Sequence, residues 1–147
     1  MLFKRISRSS AEVVFIVAKN VSGSTITAGY SCVFDVGTNV DGVRVTQASG
    51  TDLGAYAGVA DADIANSAYG LLQVYGYRSE VYVKTVANSS TYSTGSNLDP
   101  VADVWSLTPS AVAAGDKSFA VLCEAITDSS DTSSAYSANF KGFIRAL

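Results

Sequence analysis

Residues 68–84, AYGLLQVYGYRSEVYVK, constrain the fold more than any other stretch of the chain. Aromatic and β-branched side chains dominate it, and these fit a pleated, half-buried surface. The stretch reads as a hairpin, with a strand over 71–75, a turn over 76–79 and a return strand over 81–86; Gly70 and Gly76 bracket the first strand. A two-residue period puts Leu72 and Val74 on one face and Leu71, Gln73, Tyr75 and Tyr77 on the other. Tyr69, Tyr75, Tyr77 and Tyr82 gather around this hairpin. Packing of a core and its rim explains them, and so does a subunit interface, where tyrosine offers large rigid area with a polar tip.

The rest of the chain extends the same pattern. Residues 12–19 form a short β-branched run and read as the first strand, although Ser9 and Glu12 have the spacing of a helix capping box. A second strand, or two, is expected over 25–36 with a bend at Gly29, then strands over 43–47 and 56–60. Residues 61–67 suit an extended loop or one helical turn. Residues 87–97 are small, polar and nearly uncharged, which marks a surface loop with a weak edge strand at 91–93. Residues 98–109 hold the only Trp, Trp105, between the only two prolines, and predict an irregular segment anchored by a buried indole. Residues 110–115 suit a short helix or a turn. A strand over 119–127 puts Phe119, Val121, Cys123 and Ala125 on one face. After a polar loop over 128–137, a last strand over 139–147 carries Phe140, Gly142 and Ile144 against Lys141, Phe143 and Arg145. Seven to ten short strands without a strong amphipathic helix predict an all-β fold, a single-domain barrel or sandwich of short antiparallel strands. Residues 12–147 form that domain, and residues 1–11 an extended N-terminal arm.

At 147 residues and 15.2 kDa, one such domain buries roughly 68–70% of the surface of its unfolded chain. The 48% hydrophobic and 16% charged content is apolar for a small domain and hints at surface reserved for other chains. A net charge of −3 and a pI near 4.7 argue against nucleic acid, since duplex affinity rests on Lys and Arg. The opening residues imitate a secretory leader. The apolar run over 13–18 is too short for one, however, and is bounded by Glu12 and Lys19. No apolar stretch reaches the roughly 20 residues of a membrane helix, so a soluble protein with no membrane partner is expected. Cys32 and Cys123 each sit in an apolar strand-like run and are expected to be buried free thiols.

Catalytic patterns are weak. The chain has no His, which removes the commonest general base and the Ser-His and Cys-His pairs. Two separated cysteines do not make a zinc site. Asp61 and Asp63, like Asp128 and Asp131, read as solvated loop acids, too few for a calcium loop. Glu80 and Glu124 read as surface charge. Gly50, Gly54 and Gly58 read as sheet bends, and no phosphate-cradling glycine motif occurs. No enzymatic activity, cofactor or metal is expected.

The segment GVADADIANSAYGLLQVYGY at 58–77, with LFKRIS at 2–7 and FIRAL at 143–147, resembles a family of small virion structural proteins of tailed bacteriophages, the head decoration or cement type. The resemblance implies a non-enzymatic protein on the outer surface of the icosahedral head, bound to the major capsid protein, reinforcing capsomer contacts, and commonly trimeric. It also implies synthesis in the bacterial cytoplasm. A tail, neck or fibre-associated virion protein is the nearer alternative, and a carbohydrate-binding β module using Trp105 and exposed tyrosines the more distant one. The candidate subunit-interface residues are Tyr75, Tyr77 and Arg78 of the hairpin together with Leu2, Phe3, Lys4, Arg5, Ile6 and Arg8 of the arm. In the arm, the apolar side chains would anchor on a neighbouring subunit and the basic ones pair with its carboxylates.

Overall fold

Strands form where β-branched and aromatic residues cluster between turn residues, as their stiff side chains favour. The computed structural model describes residues 12–37, 41–85, 91–110, 118–127 and 137–146. In chain order the strands are β1 (Val14–Asn20), β2 (Ser31–Phe34), β3 (Arg44–Thr46), β4 (Tyr56–Ala60), β5 (Tyr69–Lys84), β6 (Thr91–Tyr92), β7 (Asn97–Pro100), β8 (Leu107–Ser110), β9 (Ala120–Leu122), β10 (Ile126–Thr127) and β11 (Ser137–Arg145). One short 3-10 turn, Leu53–Ala55, leads into β4. The architecture is all-β, as expected.

The expected hairpin does not form. Residues 69–84 are one continuous strand of 16 residues, β5, with no turn over 76–79. Two irregularities bend it instead. Opposite β1 the pairing steps from Val14↔Tyr75 to Phe15↔Gln73, leaving Val74 as the extra residue. Opposite β11 it steps from Phe140↔Val81 to Gly142↔Arg78, so β5 again carries one residue more. Such bulges kink a strand and sharpen its twist without ending it. Gly76 serves this passage. Its φ is +104°, and a Cβ there would lie 2.2 Å from the Glu12 carbonyl oxygen.

Both edges of β5 are used, and the pairings close into two rings. In the first, the order is β1-β3-β2-β4-β5 and back to β1. In the second it is β5-β11-β9-β7-β8, closed by the single pair Val83↔Leu107. The pairs β1–β3 and β5–β8 are parallel, whereas antiparallel pairing alone was expected. Ring closure removes exposed sheet edges. Each ring has its own core. Ala18, Ile26, Cys32, Val45, Ala60, Ile64 and Leu72 fill the first. Val59, Val81, Val83, Leu98, Leu107, Leu122, Ile126 and Ile144 fill the second.

Two further expectations are corrected. Residues 98–109 are irregular only over 101–106, around Trp105; on either side β7 and β8 pair over four residues with both prolines inside them, Pro100 opposite Leu107 and Pro109 opposite Leu98. The expected strand over 119–127 breaks into β9 and β10, and the face that Phe119, Val121, Cys123 and Ala125 share is the outer one. Ala120, Leu122 and Ile126 are buried, Val121 and Cys123 half-buried, and Ala125 exposed. Both alternations contain apolar residues, so the period alone did not choose between them. The arm and the loops at 86–90 and 128–136 lie outside the described residues.

Candidate functional site

The sequence-derived interface residues of β5 have different fates. Tyr77 is exposed. Tyr75 is half-buried, edge-on to Phe143 with ring centroids 5.2 Å apart. Arg78 is spent within the chain: its guanidinium pairs with Asp61 at 3.0 Å and donates to the carbonyls of Ala60 and Glu80, each at 2.8 Å. Only 10% of its side chain is exposed. Leu2, Phe3, Lys4, Arg5, Ile6 and Arg8 lie outside the described residues.

An outward apolar stripe crosses the β1–β5 pair. On β1 the residues 16, 18 and 20 turn inward, which sends Phe15 and Val17 outward, with Val13 just ahead of the strand. Val17 pairs with Leu71 and Lys19 with Tyr69. Val17 is 59% exposed and Tyr69 65%; Val13, Phe15 and Leu71 are exposed too. Lys19 rests over the Tyr69 ring, its ammonium 5.8 Å from the centroid, which adds a weak cation–π attraction at the end of the stripe. The outside of a small barrel ordinarily carries polar side chains, and a contiguous apolar patch marks a contact surface. The two-faced reading of β5 had separated Leu71 from Leu72. It gave no hint that β1 would lie alongside.

The second feature lies on the seam between the rings, where a groove of about 300 Å³ is lined by Tyr30, Tyr82 and Trp105 with Gln47, Lys84 and Asp103 at its polar parts. Tyr30 stands between the other two rings, 5.1 Å from Tyr82 and 5.8 Å from Trp105, nearly parallel to the indole at 18°. Backbone bonds fix the three. Ser31 donates its N–H and its hydroxyl to the Trp105 carbonyl at 2.8 and 2.9 Å. The Tyr82 N–H donates to the Gly29 carbonyl at 2.9 Å. The Asp103 N–H donates to the Ala48 carbonyl at 2.8 Å, with Asp103 itself in the left-handed region at φ +61°. Trp105 is half-buried at this seam, where a buried indole was expected.

Titratable groups elsewhere serve structure. Asp61 holds Arg78, and Asp63 accepts from the Ala28 N–H at 2.9 Å, so the pair is not merely solvated. Glu124 accepts from the Lys141 N–H at 2.7 Å, and that bond holds its carboxyl below the usual range. Asp41 is lowered likewise by the N–H groups of Val43 and Arg44. Burial pushes the Cys32 thiol up to about 12 and also raises the buried Tyr56 phenol. Both cysteines are free, as expected, but Cys123 is half-buried where full burial was expected. Among the described residues no cluster of three metal-ligating side chains occurs, and no helix is long and apolar enough to cross a membrane. No protein-family model matches the chain, and no curated protein matches it in sequence.

Proposed function

We propose that this chain is a non-enzymatic structural protein of a tailed-phage virion, of the head decoration type. It binds the major capsid protein on the outer surface of the head, as a trimer, and reinforces contacts between capsomers. The observation that carries this reading is the outward stripe of Val13, Phe15, Val17, Leu71 and Tyr69, an apolar footprint on the outside of a barrel. It agrees with the resemblance carried by residues 58–77, whose AYGLLQVYGY segment contributes Tyr69 and Leu71 to that stripe. Apolar contact of this kind is non-directional and strong for its area, which suits a protein whose task is to hold its neighbours. The basic residues Lys4, Arg5 and Arg8 add pairing with capsid carboxylates, a contribution that salt weakens.

Binding to purified undecorated heads tests the reading. Val17→Asp and Leu71→Asp each put a charge where the partner would exclude water. Each variant should keep its circular dichroism spectrum and melting behaviour while losing most of its occupancy on heads. Deleting residues 1–10 should also lower occupancy, most at low salt, and the gap to the intact protein should narrow as salt is raised. Wild-type occupancy of both aspartate variants would overturn the proposal.

A further inference from the structure

We infer that the groove between the two rings is a binding subsite for one or two rings of a neutral saccharide. Four observations converge on that chemistry. At about 300 Å³ the groove is at the small end of ligand pockets, which fits a sugar ring and excludes a folded partner. Its apolar wall is aromatic, with Tyr30 stacked on Trp105 and tilted against Tyr82, and the C–H face of a pyranose packs on such rings while its hydroxyls stay free. Its polar parts are unspent: among the described residues the side chains of Gln47, Lys84 and Asp103 have no hydrogen-bond or ion-pair partner. Together they offer an amide, an ammonium and a carboxylate, so that donors and acceptors are mixed and the opposite charges favour no net charge on the ligand. Finally, Ser106 lines the same groove, wholly buried, with a hydroxyl that finds no partner. A ligand hydroxyl reaching it would satisfy a group that is costly to leave unpaired.

This subsite goes beyond the capsid-binding role and does not depend on it, since the stripe on β1 and β5 shares no residue with the groove. The chain supplies its own reporter, because Trp105 is its only tryptophan. Emission from the full-length protein would be followed while glucose, galactose, mannose, N-acetylglucosamine and their common disaccharides are added, with mannitol as an acyclic polyol of similar hydroxyl content. At least one cyclic sugar should give a saturable change that mannitol does not. Tyr82→Ala should weaken that binding roughly tenfold. Asp103→Asn keeps a residue that tolerates the left-handed backbone, and it should weaken binding by a similar factor while the fold, checked by circular dichroism, is unchanged. The proposal is overturned if no sugar in the panel gives a saturable response, if mannitol saturates equally, or if Asp103→Asn binds as the wild type does.

Discussion

Tyr56 joins the two halves of the molecule at the level of a single residue: its side chain packs in the second core, 5.2 Å from the Phe119 ring, while its backbone pairs with Val33 of β2 in the first ring. Its hydroxyl is buried with no partner among the described residues. An unpaired buried hydroxyl costs more than a hydrogen atom in its place, so Tyr56→Phe should stabilise the protein by about 1–2 kcal/mol in urea denaturation. A loss of stability would mean that the hydroxyl is bonded after all. The two cysteines divide by burial. Cys32 should react with a thiol reagent only after unfolding, and half-buried Cys123 should react in the native state. Linkage follows from the same burial. The unfolded thiol ionises near its ordinary 9.0 and the folded one only near 12, so this contribution is complete below pH 9 and is lost as pH rises through that window. Between about pH 8 and about pH 10.5 the wild type should therefore lose more stability than Cys32→Ala does. Equal losses would contradict the burial.

At the scale of elements, β5 is where local reading and tertiary structure part. Gly76 followed by Tyr-Arg-Ser-Glu has the composition of a turn. What keeps the chain extended is remote: β1 on one edge, β11 on the other, and Asp61 waiting for Arg78 seventeen residues away. None of these partners is visible in a short window. By contrast β4 occupies residues 56–60 as expected, since a compact apolar run between turns needs no outside help to be recognised. The groove was legible only in parts. Trp105 and Tyr82 stood out as aromatics, whereas Tyr30 joins them through the Gly29–Tyr82 backbone bond, for which the sequence carries no local signal. Two glycines test the bulged strand. Gly76 and Gly95 both have positive φ, at +104° and +94°, but only Gly76 is enclosed. Gly95→Ala should cost about 1–2 kcal/mol of backbone strain. Gly76→Ala should cost more than about 3 kcal/mol, because the backbone at Glu12 and Val13 must also move. Similar costs at the two sites would argue against the tight β1–β5 crossing.

For the whole molecule, a strand shared by two closed rings makes their stabilities interdependent. Leu72 lies wholly buried in the first core and Leu122 in the second. Trimming either to alanine should cost about 2–5 kcal/mol, and both should shift the same single transition seen by circular dichroism and by Trp105 emission at the seam. Two separated transitions in either variant would mean that β5 does not couple the rings. The outward stripe, built from β1 and the first half of β5, belongs to this scale as well, because only the closed first ring holds Val17 beside Leu71. The most direct measurement is a density map of virions carrying this protein. The account predicts density for it on the outside of the head, between capsomers, with the Val17 and Leu71 face turned toward the shell. Density confined to the tail or neck, or that face turned to solvent on the head, would contradict it.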